Sequence, residues 1–383
     1  MPKLAFYNAR LITPEELVLD QVLLIQDGRI VDIISSTSVP DEYAPVDLQG
    51  CWLAPGFIDI HLHGGGGADT LDGSVAALRT IMDWHLRQGT TAFYPTLISS
   101  SAQQTISAIQ AVKEAMELEE FAGRVLGVHL EGPFLNPLYC GAHDIDLLRI
   151  PAHALEEWQA YATEPTVKLI TFAPELPGSE EFALACVAKG IKLSIGHSSA
   201  EYEQIRRAHH WGVNQCSHIF NAMQGMHHRD PGTAGSMLAM DRFYAQFIAD
   251  GIHLHPAMLR VIARCKGGDK GVLISDAIGC SGMPDGEYSL GSRPVILKEG
   301  VARNLEGNLS GSTITLAGAV RNMVKLAGTG LQTAVQMATL TPAKAMGIEN
   351  SKGSLHKGRE ADLVAMDEDL KIIQVWSRGT QIR

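Results

Sequence analysis

Residues 56–63 read GFIDIHLH, and four consecutive glycines (64–67) follow them. An apolar run that finishes in two histidines and a glycine loop has the pattern of a buried parallel strand carrying polar groups to one end of a sheet. Seven later runs repeat the theme: TAFYPTLI (91–98), VLGVHLEG (125–132), VKLITFAPE (167–175), IKLSIGHS (191–198), VNQCSHIFN (213–221), FYAQFIADG (243–251) and GVLISDAIG (271–279). Helix-like stretches at 74–88, 101–118, 179–189, 200–211 and 314–327 fall between or after them. Regular strand–helix alternation implies an α/β fold whose parallel sheet is covered on both faces. Eight units between residues 53 and 348 suit a TIM-like (β/α)8 barrel, which typically needs about 250 residues. The rival is an open doubly wound sheet, and the absence of a G-x-G-x-x-G turn after the first strand weighs against it.

The two flanks have a different texture. LAFYNARLIT (4–13) and VLLIQDGRIVDII (22–34), with Asp27-Gly28 as a hairpin turn, read as short antiparallel strands. ADLVAMDEDLKIIQVWSRGTQIR (361–383) alternates apolar and polar residues with no helical stripe. Residues 1–52 and 349–383 are therefore expected to pair into one small β domain, with the catalytic barrel (53–348) inserted between them.

Bulk properties narrow the function. Of 383 residues, 45% are hydrophobic, enough for a large core, and 31 basic against 42 acidic residues leave a formal charge of −11. Such a chain repels a phosphate backbone, which disfavours nucleic acid as a partner. The six cysteines form no C-x-x-C pair and read as reduced thiols. The first residues, MPKLAFYNARLIT, lack the apolar core of a signal peptide, and no run approaches a membrane span. A cytoplasmic protein without membrane contact is expected.

The chemistry lies at the ends of the apolar runs. Run one ends in His61 and His63, run three in Glu131, run five in His197 and run six in His218. Run seven ends in Asp250 and His253, and run eight in Asp276. In a barrel, strand C-termini share one mouth, so residues far apart in sequence converge there. Strict alternation would put Asp59, His61 and His63 on one face of the first strand and Ile58, Ile60 and Leu62 on the other. It would likewise put Leu193 and Ile195 below His197, and Val272 and Ile274 below Asp276. Each polar residue alone has an ordinary reading: a loop histidine pair, a strand-end glutamate in water, a satisfied core histidine, an N-capping aspartate. Together they form a nitrogen and oxygen ligand set without thiolate, which suits Zn²⁺, Fe²⁺ or a related ion. Arg229, in the HHRDPG loop (227–232), is the best local anion site in an acidic chain. The small-residue turn NLSGSTIT (308–315) offers backbone N–H groups ahead of a helix.

These stretches also resemble a known family. APGFIDIHLHGGGG, YPTLISS, HLEGPFLNP, GAHD, IGHSSA, HIFNAMQGMHHRDPG, IADGIH, ISDAIG, NLSGSTIT, ATLTPAKAMGI and KGREADLV are similar, in register, to the N-acetylglucosamine-6-phosphate deacetylases of the amidohydrolase superfamily. The resemblance implies a metal-bearing barrel with a small β-sandwich domain built from both chain ends. It implies hydrolysis of N-acetylglucosamine 6-phosphate to glucosamine 6-phosphate and acetate. By position, Glu131, His197 and His218 would hold a main metal. His61 and His63 would hold a second one bridged by Glu131, with zinc first and iron, manganese or cobalt as alternatives. Asp276 would be the catalytic acid and base as well as a metal neighbour, and His143 would orient the substrate carbonyl. Ala142, Asn221, Ala222, Asp250, Gly251, Ile252, His253, Leu309, Ser310 and Gly311 match positions that contact sugar and phosphate. Arg229 matches a phosphate-binding arginine that crosses a dimer interface, implying a homodimer. HHRDPG and GMPDG (282–286) also resemble relatives acting on the galactosamine epimer. No strand-end lysine is available for carboxylation, which disfavours the dihydroorotase and hydantoinase types. A cyclic-amide hydrolase and a non-catalytic barrel scaffold remain as the other readings.

Overall fold

The computed structural model describes residues 3–382. Its eight central strands follow the expected order: β1 (Phe57–Leu62), β2 (Thr90–Leu97), β3 (Val128–Glu131), β4 (Val167–Phe172), β5 (Lys192–Ile195), β6 (Gln215–Cys216), β7 (Tyr244–Ile248) and β8 (Gly271–Ile274). Each pairs in parallel with its sequence neighbour, so a single sheet runs from β1 to β8. Helices cover the outside. The first, Val75–Arg87, is N-capped by the Ser74 hydroxyl, which accepts from the Ala77 N–H, and it buries Leu78, Ile81, Met82 and Leu86 at helical spacing.

Between the mouth end of β1 and the residues just past β8, backbone bonds and one carboxylate close the barrel. The Asp276 N–H donates to the His61 carbonyl (2.9 Å), and the His63 N–H donates to the Ala277 carbonyl (2.8 Å). The buried Asp59 carboxylate accepts from the Ser275 N–H (3.2 Å) and from the His61 N–H (3.1 Å). It supplies the acceptor that a regular ladder would have provided.

Strict alternation in β1 does not hold. Asp59 to Leu62 advances three residues while Phe93 to Pro95 opposite advances two. The extra residue is a β-bulge, which reverses facing beyond it. Ile58 and Ile60 therefore pack inside the barrel with Leu169, Ile248, Val272 and Ile274. Leu62 joins the helix-facing cluster. Asp59 turns to the seam rather than sharing the histidines' role. In β5, Leu193 and Ile195 also belong to the helix-facing cluster, not to the interior below His197. The helix Leu340–Met346 fills the interior with Ala343 and Met346.

Strands from the two ends of the chain share one six-stranded sheet. Within it Trp52–Pro55 lies between Arg10–Ile12 and Leu363–Met366. A four-stranded sheet from residues 4–47 packs on it through Phe6, Leu23, Ile25, Leu53, Leu363 and Trp376. Asp27 and Gly28 both have positive φ (52° and 75°) between the paired Gln26 and Arg29, the tight hairpin that the dipeptide predicted. Gly56 joins this sheet to β1. A Cβ there would lie 2.1 Å from the Thr91 hydroxyl oxygen, so only glycine passes.

One unit was not anticipated. Between β8 and the helix Leu316–Lys325, a three-stranded antiparallel insert (Gly286–Leu290, Arg293–Lys298, Val301–Asn304) packs against Ile98 and Ile278. Among the described residues, no helix is long and apolar enough to cross a membrane.

Candidate metal centre and active site

The strand ends converge as expected. His61, His63, Glu131, His143, His197, His218 and Asp276 are all buried around one point at the barrel mouth. Glu131, the last residue of β3, is the hub. Its Oε1 lies 3.3 Å from His61 Nε2, 3.2 Å from His197 Nε2 and 2.8 Å from His218 Nε2. Its Oε2 lies 3.3 Å from both His63 Nε2 and His143 Nε2. Asp276 Oδ1 sits 3.3 Å from His63 Nε2 and 3.5 Å from His61 Nε2.

Local backbone explains the convergence. His197, His218 and Asp276 each stand two residues beyond the end of their strand, and each has positive φ (49°, 27° and 50°). The left-handed conformation costs a non-glycine residue on the order of 1 kcal/mol or more. At His197 and His218 it swings the side chain across the mouth, where parity from the outward-packed Ile195 and Cys216 would not send it, whereas Asp276 keeps the inward side of Val272 and Ile274. Surrounding bonds hold these residues in place. The His197 carbonyl accepts from the Asn136 N–H (2.9 Å), and Asn136 and Ser199 are both tied to the Glu175 carboxylate at the end of β4.

Hydrogen bonds to the far ring nitrogens fix the imidazole tautomers. His197 Nδ1 donates to the Tyr139 carbonyl (2.8 Å). His61 Nδ1 donates to Gln246 Oε1 (3.3 Å), because the Gln246 amide donates in turn to Gln215. Both rings therefore turn a lone pair, on Nε2, towards Glu131. His61 Nε2 is buried and makes no hydrogen bond, and the Nε2 atoms of His197 and His218 face each other at 3.2 Å. Lone pairs and a carboxylate crowded in this way repel unless a cation lies among them. The residues fit a metal. Three groups of ligand atoms are close enough to chelate: His61–Glu131–His218, His61–His63–Asp276 and Glu131–His143–His197.

His143 differs from the others. Its Nδ1 accepts from the Ser99 N–H (3.3 Å) and lies 2.9 Å from the Ser99 hydroxyl. The neutral ring must then carry its proton on Nε2, as a donor aimed into the site rather than a ligand. Burial, reinforced by nearby His197, pushes this imidazole down to about 4, so it stays neutral. Burial alone would raise the Glu131 carboxyl, but the surrounding imidazoles outweigh it and hold the group well below the usual carboxylate range. The same contest, decided by His61 and His63, lowers Asp276. For His63, burial disfavours the charge, yet Asp276 and Glu131 lift the ring to about 10, a measure of the negative charge a cation meets here.

The cavity above this cluster is lined by Ala142, Asn221, Ala222, His253, Leu309 and Gly311, as the sequence suggested. Ile98, Gly141 and Leu290 also line it and were not foreseen. Asp250, Gly251, Ile252 and Ser310 do not reach it. The Asp250 carboxylate instead accepts from the Ile252 and His253 N–H groups (2.8 Å each) and from His253 Nδ1 (2.6 Å), so it orients the ring that does. Arg229 lies on an exposed loop with its guanidinium on His228 (2.7 Å), outside this chain's own cavity. His129 was overlooked. It shares Glu131's strand parity, bonds Thr96 and Thr171, and sets its ring edge-on under His61 at 4.6 Å.

A parallel barrel with histidines and carboxylates at its mouth defines a metal-dependent hydrolase architecture. The chain belongs to the amidohydrolase family, whose sequence pattern matches residues 52–382. More narrowly, it is similar to amino-sugar-phosphate deacetylases along nearly its whole length. It is 34% identical to the N-acetylglucosamine-6-phosphate deacetylase of Vibrio furnissii, covering 94% of this chain and 90% of that one. It is equally 34% identical to the N-acetylgalactosamine-6-phosphate deacetylase of Escherichia coli O157:H7, with 97% of each covered. A variant of the Mycobacterium smegmatis N-acetylglucosamine-6-phosphate deacetylase, solved with N-acetyl-D-glucosamine 6-phosphate, superposes with a TM-score of 0.92 at 31% identity, covering 100% of both chains.

Proposed function

We propose that this protein hydrolyses N-acetylglucosamine 6-phosphate to glucosamine 6-phosphate and acetate. The observation that carries the reading is the convergence of His61, His63, His197 and His218 on Glu131, with Asp276 beside them. These six residues would hold one or two divalent ions, zinc first and iron, manganese or cobalt next. A divalent ion bound there supplies Lewis acidity, polarising the acetamide carbonyl and acidifying water. Asp276, kept anionic by its neighbours, takes a proton from the attacking water. The water oxygen bonds to the acetyl carbon, the C–N bond breaks, and Asp276 returns the proton to the amine nitrogen. His143 donates its Nε2–H to the carbonyl oxygen as negative charge develops there.

The sugar phosphate is held by Asn221, Ala222, His253, Leu309 and Gly311, so binding remote from the reaction fixes the carbonyl in place. Asp250, Gly251, Ile252 and Ser310 support these contacts from behind. Arg229 reaches the phosphate from a second copy of the chain, which makes the enzyme a homodimer and accounts for the arginine's distance from its own cavity. The six free thiols suit a reducing compartment, the cytoplasm.

The galactosamine epimer is the second reading, favoured by an equal identity to a relative of that name. Acetate release from both N-acetylhexosamine 6-phosphates, with metal content measured on the same sample, tests the proposal. The gluco substrate should be faster. A faster galacto substrate reverses the assignment, and no acetate from either ends it.

A further inference from the structure

We propose that Ile98, Ala142 and Leu290 form the pocket for the acyl methyl group and so set the acyl chain length that the enzyme removes; this rests on the deacetylase reading above. The cavity has two kinds of wall. One consists of the imidazoles and carboxylates already described. The other is apolar: Ile98, Ala142 and Leu290 line the cavity, and half-buried Ala142 packs against the buried cluster that holds Ile98 and Leu290 with Ile278, Val295 and Leu297.

That apolar wall is covalently continuous with the carbonyl donor. Ile98 precedes Ser99, whose N–H and hydroxyl hold His143 Nδ1, and Ala142 precedes His143 itself. A carbonyl oxygen received by His143 Nε2–H carries its methyl on the same carbon, so the methyl falls on the piece of wall that carries the donor. It is the one wholly apolar group at that end of the substrate, and the polar wall has no place for it.

The wall is also backed by protein. Leu290 sits at the tip of the insert's first hairpin, paired with Arg293 across a two-residue turn, yet is only 2% exposed. At the adjoining Gly291, a Cβ would come within 3.1 Å of Ile98 Cγ2. Hairpin and strand end are thus in contact behind the pocket, closing it to longer chains. The insert acts as a stop for the acyl group, and the hairpin tip is its adjustable part.

The test is a series of N-formyl, N-acetyl, N-propionyl and N-butyryl glucosamine 6-phosphates assayed for kcat/KM. With the wild type, each methylene beyond acetyl should lower kcat/KM roughly tenfold or more. Leu290→Ala should raise the propionyl-to-acetyl ratio by roughly tenfold. Ile98→Val, a milder change that leaves the fold intact if the first variant does not, should move the ratio the same way by less. A wild type that cleaves butyryl as fast as acetyl overturns the proposal. So do variants that slow all members equally, because the wall then touches the sugar ring instead. Acetate release with an unmoved ratio removes the acyl pocket alone, whereas a wild type inactive on every member removes the deacetylase reading and the pocket with it.

Discussion

Two zones of one barrel interior obey opposite rules. Around Ile58, Ile60, Leu169, Ile248, Val272 and Ile274 the strands keep apolar side chains against Ala343 and Met346. At the mouth ends of the strands, His61, His197, His218 and Asp276 crowd buried polar groups together, three of them in the left-handed conformation. The first zone lowers the free energy of folding. The second raises it, and persists because the first, with the helix layer, holds it in shape. Activity and stability should therefore separate cleanly when the two are mutated.

The largest effect is expected at the hub. Glu131→Gln keeps the volume but removes the charge facing five imidazoles. Activity should fall on the order of 10⁴-fold or more, the upper end of what one catalytic group supplies, and bound metal, measured by elemental analysis, should fall with it. Asp276→Asn should cost about 10²–10⁴-fold in kcat while circular dichroism stays as in the wild type and most of the bound metal, held by Glu131 and the histidines, remains. Near-normal turnover in this variant would remove Asp276 from the proton-carrying role. In the apolar zone the readout changes. Ile60→Ala should destabilise the protein by about 2–5 kcal/mol in chemical denaturation, with kcat of the folded fraction unchanged. A loss of kcat without a loss of stability there would erase the distinction between the zones.

The smallest effect concerns a third way of burying charge. Lys352 donates to Asp362 and to Glu360 (2.7 Å) where the chain-end strands meet the barrel. Burial opposes its charge, but the two carboxylates outweigh that and raise it above the ordinary lysine value. A raised folded-state pKa gives stability that is full below the unfolded value of about 10.4 and lost as pH climbs through the folded one. The wild type should lose melting temperature between about pH 9 and about pH 12 by more than Lys352→Met does. Equal losses would show that the pair does not couple to folding.

Much of this was legible in the sequence, for identifiable reasons. Parallel strands buried on both faces read as continuous apolar runs, so all eight appeared in order, and their polar ends marked the mouth. Asp27-Gly28 specified its hairpin because few other pairs tolerate two positive φ values. What escaped was facing near the strand ends. A bulge between Asp59 and Leu62, and left-handed backbone at His197 and His218, break the parity on which sequence reading depends, while Asp276 falls on the inward side with Val272 and Ile274 as alternation predicted. His129 could have been found by that same parity from Glu131. The insert too carried signals, with Gly291-Ser292 and Glu299-Gly300 between alternating residues. Ser99 and Gln246 could not have been found, since their partners are distant in sequence and only the closed sheet brings them together. Arg229 could not be understood from one chain, because its proposed role needs a second.

The sheet in which Trp52–Pro55 lies between Arg10–Ile12 and Leu363–Met366 has a consequence for how the protein comes into being. A ribosome delivers the first two of these strands early and the third only after the whole barrel. For on the order of tens of seconds of synthesis the nascent chain carries an open strand edge awaiting its other half. Delivery of Leu363–Met366, rather than any step within the barrel, is then the event that lets the molecule clasp shut. A chain stopped before Leu363 would stay unfastened however well its centre had collapsed.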